Sequence, residues 1–163
     1  MSNALRLLRR WNGLWTGEVE ADSGALLKVR ITISTAMEGH GSVFHVEVTD
    51  PASGGLVRGL RMLFAEGPDR VMQTVAFSTQ LGLFGLEQTA DDEDVLALAG
   101  VTESGVQLNV TYHEEEPDTL MFTVIWRPHG TSLPRDARPG LFGRIRRRQP
   151  WRPEQGQEIG KQV

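Results

Sequence analysis

The stretch RRWNGLWTGEV, residues 9–19, contains the change of period that decides the fold. Ala4, Leu8, Trp11 and Trp15 fall at spacings of four, three and four, one stripe of a short helix. Ser2 or Asn3 is placed to cap it. Gly13 interrupts the stripe. From Trp15 the period becomes two: Trp15, Gly17, Val19 and Ala21 share one face, and Thr16, Glu18, Glu20 and Asp22 the other. That is a half-buried strand. Two of the chain's four tryptophans sit at this joint. Trp11 ends the helix, Gly13 turns the chain, and Trp15 opens the first strand.

The same alternation returns outward from that joint. Leu27, Val29, Ile31 and Ile33 oppose Lys28, Arg30, Thr32 and Ser34. Phe44, Val46 and Val48 oppose His45, Glu47 and Thr49. The run from Leu56 to Ala65 is apolar on both faces but carries Arg58 and Arg61. Val71, Gln73, Val75 and Phe77 alternate with Met72, Thr74, Ala76 and Ser78. Residues 79–90 read as a strand with glycine kinks, or else as an apolar loop at a mouth. Val95–Val101, Val106–Tyr112 and Leu120–Trp126 supply three more strands. Turn signals such as ADSGA, MEGHGS, DPASGG and EGPDR separate the runs. Short strands joined by short turns form an antiparallel meander. Closing the meander into a barrel covers one face of every strand and removes exposed edges.

The 163 residues suffice for one domain. There is no cysteine, which excludes disulfides, thiol catalysis and cysteine-based zinc sites. The N-terminal arginines follow the leucines, the reverse of a secretory signal, so a cytoplasmic protein is expected. Net charge is −4 but unevenly spread. Residues 11–126 hold five basic and eighteen acidic residues, whereas residues 127–163 hold nine basic and three acidic ones. The plain reading is that the basic ends lie against the acidic body or stay solvated. The sharper one is weak contact with an anionic surface through Arg144, Arg146, Arg147 and Arg148. RIRRRQPWR is short and the body acidic, so nucleic-acid binding is a minor reading. After Trp126 the alternation stops and prolines accumulate. Residues 129–163 therefore read as a basic Pro/Arg-rich tail on a barrel domain of residues 1–128.

The joint pattern of helix, Gly13-Leu14-Trp15 and a meander ending at Trp126-Arg127 resembles the calycin superfamily, the lipocalin-like and fatty-acid-binding-protein-like barrels. WNGLWTGEV is similar to the opening of small bacterial calycin-like domains, including the haem-binding nitrobindin type. The resemblance covers roughly residues 3–128. It implies an all-β, antiparallel up-and-down barrel of eight to ten strands whose N-terminal helix plugs one end. It also implies a structural role for Trp11, Gly13 and Trp15, with Arg127 as the basic residue that packs on the tryptophan. By phase, Arg127 falls on the face opposite Trp126 and reaches Trp15 only after a bend at Pro128.

The expected function is non-catalytic: a carrier or sensor of a small hydrophobic ligand, with or without an anionic group, inside the barrel. Arg58 shares its face with Leu60, Met62 and Phe64, and Gln73 with Val75 and Phe77. A buried arginine needs an anionic or hydrogen-bonding partner. In fatty-acid-binding barrels an internal arginine holds the ligand carboxylate, and the resemblance gives that part to Arg58. Phe44, Met62, Phe64, Gln73, Phe77, Tyr112 and Phe122 complete the expected lining. No cofactor is expected. The alternative is haem, with His113 or His129 as ligand, although neither lies on an apolar strand face. No two histidines show metal-ligand spacing, and the acidic runs DDED and EEE lack the calcium-loop pattern, so no metal is expected. The third reading is a filled-barrel interaction module acting through its tail or as a homodimer.

Overall fold

The computed structural model describes residues 1–128 and 140–150, with side chains through Arg148. Helix α1 (Asn3–Arg10) is capped by Ser2, whose Oγ accepts from the Leu5 N–H at 3.3 Å. Ten strands follow among these residues: β1 (Gly13–Ala21), β2 (Leu26–Ala36), β3 (Gly41–Thr49), β4 (Leu56–Glu66) and β5 (Met72–Ser78), then β6 (Gly82–Gln88), β7 (Val95–Val101), β8 (Val106–Glu116), β9 (Thr119–Pro128) and β10 (Leu141–Pro150). Every strand pairs antiparallel with its neighbours in sequence, and β10 lies between β9 and β1, closing the barrel. The segment 79–90 contains β6, the kinked strand rather than the loop.

The expected domain boundary at residue 128 is corrected by β10. Leu141, Gly143, Ile145 and Arg147 follow the inward phase of this strand, and Phe142, Arg144, Arg146 and Arg148 the outward one. Only two inward positions are large and apolar, and the outward ones are mostly arginine. The alternation was therefore hidden behind a basic composition. Closure demands close approach of β1 and β10. A Cβ on Gly17 would run into the Arg144 carbonyl, and one on Gly143 into the Glu18 carbonyl. The two glycines thus let the first and last strands meet.

The phase of β5 is also corrected. Met72, Thr74 and Ala76 face inward, while Gln73, Val75 and Phe77 are exposed. Both faces of β5 are apolar enough that period alone does not choose between them. Packing does. Ala76 lies between Met62 on β4 and Phe84 on β6, and Thr74 between Phe64 and Leu86. These large side chains fill the interior only if their neighbour on β5 is small.

The helix lies across one end of the barrel. The Ser2 N–H donates to Glu66 Oε2 at 2.8 Å at the end of β4. Arg10 pairs with Asp94 at 2.9 Å, before β7, and with Glu114 at 2.5 Å on β8. Arg9 donates to the Gly39 carbonyl in the β2–β3 connection. Leu7, Leu8, Trp11 and Trp15 are buried beneath this lid.

Candidate ligand site

The two ends of the barrel differ in kind. At the helix end, Trp15 Nε1–H donates to the Trp11 carbonyl at 2.7 Å, and Trp11 Nε1–H donates to Glu114 Oε2 at 2.9 Å. Both indoles are fully buried with their polar atoms satisfied. The guanidinium over Trp15, 4.7 Å from the ring centroid, belongs to Arg147. Arg127 was expected there. Its Nε instead donates to Gln107 Oε1 at 3.3 Å, near the opposite end. The last strand does deliver a basic residue to this tryptophan, but the last strand is β10, whose Arg147 pairs in register with Trp15.

The middle is solid. Phe44 contacts Tyr112 with ring centroids 4.8 Å apart, Tyr112 stacks on Phe122 at 5.1 Å, and Phe44 meets Phe64 at 6.5 Å. Met62 is buried with them. Five of the expected lining residues are thus brought together, but they fill the barrel across its width. Gln73 and Phe77 stand on its outer surface. His113 is exposed on the outward phase of β8, next to inward-facing Tyr112. His113 therefore does not point into the described interior. His129 lies outside the described residues. Among those residues no group of three or more acidic or histidine side chains converges as metal ligands.

The other end holds a cavity of about 60 Å³ beneath the barrel mouth. Arg58, Leu60, Leu81, Phe122, Trp126 and Leu141 are among its walls. Arg58 faces inward by alternation, in continuous register with Leu60 and Met62 and opposite Val48; a β-bulge just beyond it pairs Thr49 with Leu56 and leaves Val57 unmatched. The Arg58 guanidinium lies 3.9 Å from the Trp126 ring centroid. A Cβ on Gly140 would strike the Trp126 ring, so glycine there makes room for the indole. Gln80 Nε2 donates to the Val57 carbonyl at 3.3 Å, tying the β5–β6 turn across the mouth.

Arg58 carries its charge partly out of water. It is half-buried, and burial lowers its pKa, opposed by the charge of Asp22. Arginine stays protonated regardless. Among the described residues Arg58 makes no ion pair or hydrogen bond, and its one close partner is the indole face. Stacking supplies about 0.5–2 kcal/mol but leaves the five N–H donors on the guanidinium edge unsatisfied by the described residues. Trp126, Leu81 and Leu141 were not among the expected lining residues. The in-phase run Phe122, Val124, Trp126 carried the signal for the first of them.

No family model matches the chain, and no curated protein matches its sequence. Among solved structures the chain is similar to a redesigned β-barrel, at 10% identity and a TM-score of 0.43, over 91% of this chain and 98% of that one.

Proposed function

We propose that the protein is a non-catalytic carrier or sensor that binds a small, partly apolar anion at the barrel mouth, in the manner of a calycin. The observation that supports this reading is Arg58: aimed inward, half-buried, stacked on Trp126 and in no ion pair or hydrogen bond among the described residues. A cavity of about 60 Å³ is the size of roughly two water molecules. It accepts a carboxylate and the first carbons behind it, while the rest of the ligand lies against Leu81, Trp126 and Leu141. This differs from a fatty acid coiled inside a barrel, because the aromatic block of Phe44, Tyr112 and Phe122 stops the cavity short. The G-x-W at the closed end, with Arg147 on Trp15, supports the calycin assignment.

Calorimetric titration with straight-chain carboxylates of increasing length tests the proposal. Binding is expected, and Arg58→Ala weakens it about tenfold or more, the worth of a charge-assisted hydrogen bond. Arg58→Lys restores little, because an ammonium cannot reproduce the planar fork. Equal binding by wild type and Arg58→Ala would sink the assignment of the site. The stacked aromatic interior favours a second reading, a filled barrel with no ligand, and absence of binding to any carboxylate would leave that one standing.

A further inference from the structure

We propose that the outer face of β4, β5 and β6 is a self-complementary interface for a second copy of this chain. The sheet registers define a small grid on this face. One row holds Arg61, Phe77 and Leu83, and the next holds Leu63, Val75 and Gly85. Ala65 pairs with Gln73 in the third row, and Glu87 occupies its β6 position two residues beyond Gly85. Phe77 is 55% exposed and Leu83 66%, with Leu63 and Val75 also exposed between them. A contiguous apolar face with a polar rim marks an interaction site.

Three features of the grid select a second copy as the occupant. First, the rim carries opposite charges at diagonally opposite corners, Arg61 on β4 and Glu87 on β6. Neither has an ion-pair partner among the described residues. Secondly, the largest knob faces the only hole of its row pair: around Gly85 a Cβ would meet nothing within 4 Å. Gly85 also lies in an open groove of about 920 Å³ along β5 to β8. Thirdly, one operation satisfies both. A two-fold axis lying in the interface, along the diagonal from Ala65 through Val75 to Leu83, brings Arg61 of each copy to Glu87 of the other. The same rotation places each Phe77 over the partner's Gly85. Such an isologous contact closes on itself and gives a dimer, not a fibre. Three strands about 4.8 Å apart make a small interface, so the dimer is expected to be reversible on dilution.

Sedimentation velocity over a wide dilution series tests this, with circular dichroism checking that each variant is folded. The wild type is expected to pass from monomer to dimer as concentration rises. Phe77→Ser is expected to stay monomeric across the series. Arg61→Glu and Glu87→Arg are each expected to weaken dimerisation about tenfold by bringing like charges together at both ends of the diagonal. The double variant Arg61→Glu/Glu87→Arg restores it to near wild type. A wild type that stays monomeric, whether or not it binds lipid vesicles, overturns the proposal. So does a dimer insensitive to Phe77→Ser, or a double variant no better than the single ones. Because the Arg58 pocket lies inside the barrel, ligand titration of the same variants reports on that site separately.

Discussion

Tyr112 is wholly buried in the aromatic block, and its hydroxyl has no hydrogen-bond partner among the described residues. Burial drives its ionisation far above the usual phenol range. An unpaired buried hydroxyl costs about 1–3 kcal/mol. Tyr112→Phe keeps the ring stacked on Phe122 and removes that cost, so it is expected to stabilise the protein by about 1 kcal/mol. The measurement is a higher urea midpoint at unchanged slope; a lower midpoint would mean the hydroxyl is bonded after all. The two candidate arginines for Trp15 separate in the same assay. Arg147 stacks on the indole, pairs with Asp118 at 2.9 Å and donates to the Arg10 carbonyl at 2.7 Å. Arg147→Ala is expected to cost about 1–2 kcal/mol and Arg127→Ala less than about 0.5. At this scale Gly13, Trp15 and Arg58 were legible, because each breaks or resets a period. The arginine on Trp15 was not, because it belongs to a strand whose composition concealed it.

Elements were legible where one face was polar and the other apolar, as in β1, β2, β3 and β8. They were ambiguous where both faces were apolar, as in β5, because which face turns inward depends on the volumes of Met62, Phe64 and Phe84 on neighbouring strands. No local pattern contains that information. The helix shows a different dependence, on charge. Glu66 holds α1 to the end of β4 through the Ser2 N–H, and that hydrogen bond above all keeps the Glu66 carboxyl below its ordinary value. A carboxyl whose folded pKa is depressed stabilises the folded state above its unfolded value, about 4.3, and loses that contribution as pH falls through the folded value. The docking of α1 is therefore expected to weaken in acid. Near-ultraviolet dichroism of Trp11 and Trp15 should change below that point, and Glu66→Gln should flatten the change. An identical acid limb in the variant would assign it to other carboxylates.

For the molecule as a whole, the charge asymmetry and the closure of the barrel have one explanation. Within β10 the basic residues meet the acidic body: Arg144 pairs with Glu115 at 2.6 Å and Arg147 with Asp118 on the strand connection beside it. Arg148 donates to Thr16 Oγ1 at 2.7 Å on β1. Two of the four arginines that suggested an anionic surface thus direct their charge at the barrel itself. Their strand is also what joins β9 to β1. Without β10, both of those strands would present unpaired backbone along their length, and Trp15 would lose its guanidinium cover. Exposed edges of this kind pair with other chains. A chain ending at Pro128, the boundary suggested by the hydrophobic pattern, is therefore expected to lose cooperative thermal unfolding and the near-ultraviolet signal of its buried tryptophans, and to aggregate. Loss of a whole strand removes Leu141 and Ile145 from the core, each worth about 1.5–3 kcal/mol of burial, which is a large share of a typical domain's stability. If the shortened chain instead unfolds cooperatively with a native tryptophan spectrum, then β1 and β9 can close on each other directly, and β10 is an addition to the barrel rather than the strand that completes it.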